Sequence, residues 1–427
     1  MASVQTKLDA HFSPYIPCFE SATRSVADAA KDYLRGLYQS SRANIERMAD
    51  VVAGSRYQRV HHMLSESAWS RADVRRQLVV DANAHFGRGG TAFVIDESGF
   101  AKKGEHSAGV ARQWNGRLGK TDNSQVGVPQ GDFLRGVPQG DFLRGVFAAI
   151  TRGGVAALVD AELYLPESWT SDPVRCEAAG VPESAQTFRT KGEMALEMVL
   201  RARRNGLLFD WVAFDGGYGQ LPWLLNELDD EREVFLAEVH SDQAIYLSDP
   251  APVVPERTGR GRVPNRRVSE AVPQVVSDWA AVQPVKAWRR MKPRDGEKGE
   301  VVAEFMTARV FVWDGKSSSG RHWHLLVRRE VGGEKFKFCL SNAKTGVFLR
   351  QLVTMQASRH FVERAFEDAK SACGMADYQV RGWNGWHHHM ALVMVALTFL
   401  AKERIAGSDT HRLLSCQDIV DMLRHKL

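Results

Sequence analysis

Apolar residues near the N-terminus recur at the spacing of helices. Val74, Leu78 and Val79 fit one helix face, and Ser70 is placed to cap the helix that they predict. Strand signals are scarce throughout this stretch. The pattern therefore predicts an all-helical N-terminal region over residues 1–88.

A basic helix is predicted inside this region. The apolar residues of segment 45–52 fit one helix face, Gly54 breaks that helix, and Ser55 can cap a second helix that carries Arg56 and Arg59. A helix, a turn and a basic helix are typical of helix-turn-helix DNA-binding proteins. Arg56 and Arg59 are therefore candidate DNA contacts, although a helical bundle with a solvated, charged face explains the pattern equally well.

From Thr91 onwards the pattern changes to short apolar runs, which are typical of strands. A capping box formed by Thr190 and Glu193 predicts a helix among these runs, and further helices are predicted near 221–228 and 359–373. The order of elements matches an RNase H-like α/β fold, in which helices flank a mixed sheet. The predicted strands are 92–95 ending on Asp96, a hairpin of 146–150 and 155–165, 209–214 ending on Asp215, and 233–239.

A long segment, residues 241–345, separates the last of these strands from the helix at 359–373. This segment is longer than a normal connection between two elements, so it is predicted to be an inserted, β-rich subdomain. Its first part carries arginines among glycine and proline, and these are further candidate DNA contacts: Arg257, Arg260, Arg262, Arg266 and Arg267. The predicted domains are a helical DNA-binding region (1–88), a catalytic core in two parts (89–240 and 346–405), the insertion (241–345) and a C-terminal helix (406–427).

The composition is that of an ordinary soluble protein. Of 427 residues, 44% are hydrophobic and 25% charged, which excludes a disordered or collagen-like chain. The net charge of +5 is a weak indication of a polyanionic partner. Five widely spaced cysteines without a CxxC pair favour a reducing cytoplasm, and no signal peptide or membrane-spanning run is predicted.

Two aspartates at the ends of neighbouring strands, Asp96 and Asp215, would lie at one edge of a sheet. Carboxylates there suit Mg²⁺ or Mn²⁺, which prefer oxygen ligands. On the following helix, Arg359, Glu363 and Lys370 are spaced by four and seven residues and share one stripe. Taken alone, that stripe is better explained by an exposed helix face with an i, i+4 ion pair.

The three histidines 387–389 are consecutive, so on a helix their side chains point about 100° apart and do not readily chelate one ion. A structural role at the start of an apolar helix over 390–400 is the stronger interpretation.

Three ordered blocks resemble a known family. The chain resembles bacterial insertion-sequence transposases of the DDE superfamily, specifically the insertion sequence 701 family. The third block has the arginine, glutamate and lysine spacing of the wider group, which has tyrosine where this chain has Gln356. The blocks are 95–104 with 106–114 and 119–123, then 215–219, and then 363–370 leading into 382–389.

The resemblance implies cut-and-paste transposition: hydrolysis at the ends of an element, followed by attack of the freed 3′ hydroxyl on target DNA. Asp96, Asp215 and Glu363 would hold two Mg²⁺ or Mn²⁺ ions, with Glu367 as the competing carboxylate. The implied partner is double-stranded DNA, both terminal inverted repeats and target, bound by a homodimer in the bacterial cytoplasm. The residues implied to contact phosphates are Arg359, Lys370, Lys102, Lys103, Arg112 and Lys120.

Two rival functions remain open. One is a structure-specific nuclease of the same fold, and the other is a catalytically inactive, transposase-derived DNA-binding protein. The presence of all three carboxylates favours an active enzyme.

One nine-residue segment, Gly-Val-Pro-Gln-Gly-Asp-Phe-Leu-Arg, occurs at 127–135 and again at 136–144. Without both copies, Val126 would run directly into the strand that begins at Gly145. Residues 127–144 are therefore predicted to be a tandem insertion that loops out at the end of the sheet.

Overall fold

The computed structural model describes residues 4–87, 89–100, 106–111, 113–115, 120–122, 143–257, 263–296, 299–407 and 415–424. These residues divide into two compact units. The first unit comprises the described residues up to 122 together with 143–209 and 360–424, and the second comprises 210–359. The predicted domain boundaries differ from this division and stay predictions.

Helices and strands alternate after an all-helical start. The helices are α1 (Val4–Phe12), α2 (Ala27–Gln39), α3 (Ile45–Val51), α4 (Tyr57–Ser65), α5 (Arg71–His85), α6 (Glu167–Thr170), α7 (Pro173–Ala178), α8 (Lys191–Arg204), α9 (Gly216–Gly219), α10 (Pro222–Asp230), α11 (Val276–Ala281), α12 (Leu349–Ser358), α13 (His360–Ala372), α14 (Trp383–Gly407) and α15 (Cys416–Arg424). The strands are β1 (Ala92–Phe100), β2 (Gln113–Asn115), β3 (Lys120–Asp122), β4 (Leu143–Arg152), β5 (Val155–Tyr164), β6 (Trp211–Phe214), β7 (Phe235–Val239), β8 (Ala244–Ile245), β9 (Gln274–Val275), β10 (Arg289–Gly296), β11 (Gly299–Val312), β12 (Arg321–Glu330) and β13 (Phe336–Ser341).

The predicted N-terminal helices are present, with one correction. Ser70 caps α5 by accepting a hydrogen bond from the Asp73 backbone N–H, as predicted. The predicted cap at Ser55 is wrong, because the residue that precedes α4 is Arg56, which makes no side-chain cap. The Ser55 hydroxyl is buried and has no hydrogen-bond partner among the described residues.

In the first unit, β4 pairs antiparallel with both β1 and β5. The predicted hairpin between β4 and β5 is confirmed, and its turn is made by Gly153 and Gly154, whose φ angles of 58° and 86° favour glycine. The prediction that the first strand ends on Asp96 is wrong. β1 continues to Phe100 because the following residues also pair with β4.

The tandem repeat reaches into this sheet. Leu143 and Arg144, the last two residues of the second copy, form the start of β4 and pair with Phe100 and Gly99. The prediction that all of 127–144 lies outside the strand is therefore wrong for these two residues. The rest of the repeat lies outside the described residues.

Helices pack on both faces of this three-stranded sheet. α8 begins with the predicted capping box, in which Thr190 and Glu193 bond each other's backbone N–H groups. α14 packs against β5, α5 and α2. The three consecutive histidines of α14 are buried, and each makes a hydrogen-bond contact within the protein: His387 to Trp383 O, His388 to Leu64 O, and His389 to Tyr33 Oη and Met375 O. Their structural role is thus confirmed.

The second unit has a mixed sheet in the order β10, β11, β12, β13, β7, β6. β6 and β7 are parallel, and the other neighbouring pairs are antiparallel. Strands from the predicted insertion thus extend the sheet of β6 and β7. α12 packs against β6, β7, β10 and β11. The predicted mixed α/β architecture with flanking helices is confirmed.

No helix in the described part of the chain is long and apolar enough to cross a membrane. The five cysteines are free thiols, and all except Cys18 are buried.

Candidate active site

Asp96 lies in the middle of β1, directly opposite Phe147 of β4. Its side chain is half-buried, and one carboxylate oxygen accepts a hydrogen bond from the Glu97 backbone N–H at 2.7 Å. The next side chain, Glu97, points to the other face of the sheet and meets the Lys191 ammonium of α8 at 2.6 Å. The Asp96 side chain therefore lies on the face of the sheet opposite to that of Glu97.

α13 covers the face of the sheet that carries Asp96. Residues directly opposite in an antiparallel pair share a face, so Phe147 lies on the same side as Asp96, and so does Phe100, four residues along β1. Phe366 of α13 packs against Phe147 with ring centroids 5.4 Å apart. The Lys370 ammonium lies 5.7 Å from the centre of the Phe100 ring. α13 thus runs along β1 above Asp96.

Glu363 borders the buried stripe of this helix. It lies three residues before Phe366 and seven before Lys370, so these side chains share one side of α13. Its side chain is 53% exposed, against 69% for Glu367, which points further from the sheet and contacts Arg364. His360 lies 3.6 Å from the Glu363 carboxylate. Of the two glutamates, Glu363 is the less exposed.

In the second unit, Asp215 follows β6 directly, as predicted. Its carboxylate caps the short helix α9 by accepting hydrogen bonds from the backbone N–H groups of Gly217 and Tyr218, at 3.0 and 3.3 Å. At the end of this turn, Gly219 packs directly on β7, where a β-carbon would overlap the Glu238 carbonyl oxygen. The turn that holds Asp215 therefore requires glycine at this position.

Two further polar residues lie near Asp215 that the sequence patterns did not single out. His240, just after β7, has its imidazole against Gly216, where an added β-carbon would lie 3.0 Å from the ring. Glu238 of β7 lies 3.2 Å from the Arg359 guanidinium. Both could have been found by applying the strand-end argument to the neighbouring parallel strand.

Arg359 itself follows the last residue of α12, Ser358. The indole N–H of Trp211 on β6 donates a hydrogen bond to the Ser358 hydroxyl at 3.2 Å. This bond and the Glu238 contact fix the end of α12, and with it Arg359, against the sheet of the second unit.

Comparison with known proteins identifies the family. A family model described as DDE superfamily endonuclease matches residues 14–131 and 133–300, more than half of the chain. The chain belongs to the DDE superfamily endonucleases. The matched segments contain Asp96 and Asp215, whereas Glu363 lies beyond them.

One relative of this DDE endonuclease is a probable transposase for insertion sequence element IS701 from Microchaete diplosiphon, 29% identical over 181 residues. The matched stretch spans 42% of this chain and 39% of that relative. Among solved structures, the cryo-EM structure of the piggyBac transposase synaptic complex with hairpin DNA has a TM-score of 0.44 and 10% identity, covering 99% of this chain and 80% of that chain.

The candidate DNA contacts of this DDE endonuclease differ in whether their side chains already contact other residues of the protein. Arg59 forms an ion pair with Asp32 of α2, so this side chain is already engaged. The Arg267 guanidinium donates to the Pro252 carbonyl oxygen at 3.3 Å. Arg56, Arg257 and Arg266 are exposed. The other predicted contacts fall outside the described residues, apart from the backbone of Lys120 in β3: Lys102, Lys103, Arg112, Arg260 and Arg262.

The three predicted metal ligands are divided between the two units. Asp96 and Glu363 belong to the first unit and Asp215 to the second. Within the described parts of the chain, no group of three or more His, Cys, Asp and Glu side chains is placed to hold a metal ion. The donors are carboxylate oxygens, which fit Mg²⁺ in chemistry, and this ion commonly takes only one or two protein carboxylates and completes its shell with water and substrate phosphates.

Proposed function

We propose that the chain is a transposase that cleaves DNA at the ends of an insertion sequence and joins the freed ends to target DNA. The observation that carries the proposal is the family match, since its segments contain both Asp96 and Asp215. The relative that is named a probable transposase supports the same activity. The mixed α/β architecture agrees with the RNase H-like fold that this proposal includes.

Asp96, Asp215 and Glu363 are the proposed ligands of Mg²⁺ or Mn²⁺, with two ions when DNA is bound. A bound ion would stabilise the negative charge that develops on the phosphate during cleavage. Asp96 lies on the face of β1 that α13 covers, and Glu363 lies on α13. The Asp96 side chain is half-buried and the Glu363 side chain is exposed.

Lys370 and Arg359 are the proposed phosphate contacts next to the reacting bond. The Lys370 ammonium lies between the Phe100 and Phe366 rings, 5.7 and 5.9 Å from their centres. Cation–π attraction holds the charge at this position, so its electrostatic effect on a phosphate needs little reorganisation. Arg359 is held in place by its ion pair with Glu238.

The proposed substrate is double-stranded DNA carrying terminal inverted repeats, followed by target DNA. Two ends of one element must be joined in one complex, so the active form is proposed to be a dimer on DNA, associated with the bacterial nucleoid. A structure-specific nuclease would cleave the same bond without the joining step. An inactive, transposase-derived protein would bind the repeats without cleavage.

The test is strand cleavage and joining of a DNA fragment that carries the element's own terminal repeats, with Mg²⁺. We expect the wild type to cleave and join, and Asp96→Asn, Asp215→Asn and Glu363→Gln each to lose about 100-fold or more in rate. Glu367→Gln, on the same helix, is the matched control and should retain activity. Equal rates in all variants would overturn the site. Cleavage without joining would favour the nuclease, and binding alone the inactive protein.

A further inference from the structure

Charged side chains of the second unit gather on one face of its sheet, beside the strand end that carries Asp215. Arg328 of β12 and Lys337 of β13 are directly opposite each other, so they share a face. Cys339 lies two residues beyond Lys337, on that same face, and is opposite Glu238 of β7. The register therefore places Arg328 and Lys337 on the same face as Glu238, which contacts Arg359.

The environment of Cys339 agrees with this arrangement. Burial raises the pKa of the Cys339 thiol well above its usual range. Glu238 adds to that rise, whereas Arg359, Lys337 and Arg328 oppose it. All four charges are thus close enough to act on one buried sulfur.

The positive charge on this face is only partly neutralised. Arg359 is paired with Glu238, and Arg328 lies 2.8 Å from the exposed carboxylate of Glu330. Lys337 is exposed and has no ion-pair partner in the part of the chain that the structure describes.

Beyond Arg328, the next position on this face is the buried Phe305 of β11, and a further cation follows at the edge of the sheet. Phe305 of β11 is opposite Arg328 on one side and Arg289 of β10 on the other, so Arg289 shares the face of Lys337. Arg289 is exposed, and its guanidinium donates one hydrogen bond, to the Lys286 carbonyl oxygen.

The opposite face of these strands differs. There the Arg329 guanidinium meets the Glu304 carboxylate at 2.8 Å and lies over the Trp288 ring, 4.0 Å from its centre. The charge of this arginine is therefore compensated within the protein.

We propose that Lys337, Arg328 and Arg289 form a phosphate-binding row for the DNA backbone that approaches Asp215. The proposal rests on the proposed function and extends its DNA contacts into the strands of the predicted insertion. Neighbouring strands are about 4.8 Å apart, so the row from Lys337 to Arg289 spans about 14 Å. That length is close to the rise of about four nucleotides along one strand of a duplex.

The chemistry of the row fits phosphates rather than base edges. Lysine and arginine side chains can contact a backbone of regularly spaced charges, and arginine binds a phosphate through two N–H groups. Such contacts carry no direct sequence information. The row would therefore strengthen binding to any DNA sequence to the same degree.

The test measures binding of the full-length chain to a fluorescein-labelled terminal-repeat duplex by fluorescence anisotropy. The salt concentration is varied from about 50 to about 200 mM, because phosphate contacts change the affinity strongly over this range. For each of Lys337→Ala and Arg289→Ala we expect the slope of log affinity against log salt to fall by about 1, with equal losses on unrelated sequences. Lys337→Arg should retain the wild-type slope. Arg290→Ala, next to Arg289 but on the opposite face, is the matched control and should leave the slope unchanged.

The proposal is overturned if Lys337→Ala and Arg289→Ala behave like Arg290→Ala, or if the wild type fails to bind the duplex. Tighter binding to duplex RNA of the same sequence would also overturn it. Failure of the proposed function looks different: the row variants would then change the salt slope, while the wild type would neither cleave nor join DNA. Unfolding temperatures of all variants, measured in parallel, show that the exposed substitutions leave the fold intact.

Discussion

Arg201 of α8 donates two hydrogen bonds to a single carboxylate oxygen of Asp160, from its Nε at 3.0 Å and its Nη2 at 2.8 Å. Asp160 is on β5, and its other oxygen lies 2.8 Å from Arg75 of α5. One buried carboxylate therefore connects β5, the edge strand of the sheet, to two helices, α5 and α8. All three side chains are less than one fifth exposed.

Asp160→Asn should destabilise the protein strongly. The change removes one of the two buried carboxylates, Asp160 and Glu162, that pair with Arg75 and Arg201, and breaking a buried ion pair costs about 3–5 kcal/mol. Urea unfolding measures the loss. Asp421→Asn, at an exposed pair with Arg424 in the same unit, is the control and should cost less than about 1 kcal/mol. Equal costs for the two changes would contradict the structural role of Asp160.

Stability should fall as the pH is lowered from about 6.5 towards 4. Burial lowers the pKa of His388 from 6.5 to about 4, partly opposed by its hydrogen bond to Leu64 O. Because the folded pKa lies below the unfolded one, the unfolded chain binds more protons in this window, and the folded state loses stability as the pH falls. His11 and His387 are shifted in the same direction, also to about 4.

His388→Phe tests this window. Phenylalanine can keep the stacking against Trp69, whose ring centre lies 3.9 Å away, and it does not titrate. The loss of stability between pH 7 and pH 5 should be about 2 kcal/mol smaller in the variant than in the wild type. Urea unfolding at the two pH values measures the loss in each protein. An equal loss in the variant and in the wild type would show that His388 is not kept neutral by burial.

Gly219→Ala should disrupt the turn that holds Asp215. Its β-carbon would overlap the backbone carbonyl oxygen of Glu238, which cannot move without distorting β7. We expect a loss of several kcal/mol in the free energy of unfolding, together with loss of DNA cleavage. Gly346→Ala, where no atom lies within 4 Å of the added β-carbon, is the control and should be neutral. A stable, active Gly219→Ala variant would contradict the described packing.

Gln356→Met should stabilise the protein slightly. The Gln356 side chain is buried in α12, and its carbonyl oxygen has no hydrogen-bond partner among the described residues. Methionine has a similar length and removes the unsatisfied acceptor, so we expect a gain of about 1 kcal/mol, measured by thermal unfolding. A loss of stability would indicate that the amide makes a hydrogen bond.

Local signals in the sequence predicted local structure well. The capping box of Thr190 and Glu193 and the tight turn of the β4–β5 hairpin both act within a few residues, and the predicted helix start and hairpin are confirmed. The end of a strand is different, because it depends on its partner. β1 continues past Asp96 because β4 supplies partners as far as Leu143, which sequence patterning around Asp96 does not reveal.

Contacts between residues far apart along the chain were also missed at the candidate site. Asp96 and Asp215 are predicted from carboxylates at strand ends, and the family resemblance adds Glu363 to them. The pairing of Arg59 with Asp32, the contact of Arg359 with Glu238, and the cation row of β10, β12 and β13 depend on residues far apart along the chain. Such contacts require the register of the sheet, which hydrophobic periodicity does not provide.

The pairing of Leu143 and Arg144 at the start of β4 has a consequence for the evolution of this chain. Both copies of the nonapeptide end in Leu-Arg, and each is followed by Gly-Val, so deletion of either copy leaves the same four residues at the start of the strand. The register of β4 against β1, and hence Phe147 opposite Asp96, is then preserved. The gene can therefore gain or lose one repeat unit in frame while the strand beside the candidate site keeps its sequence.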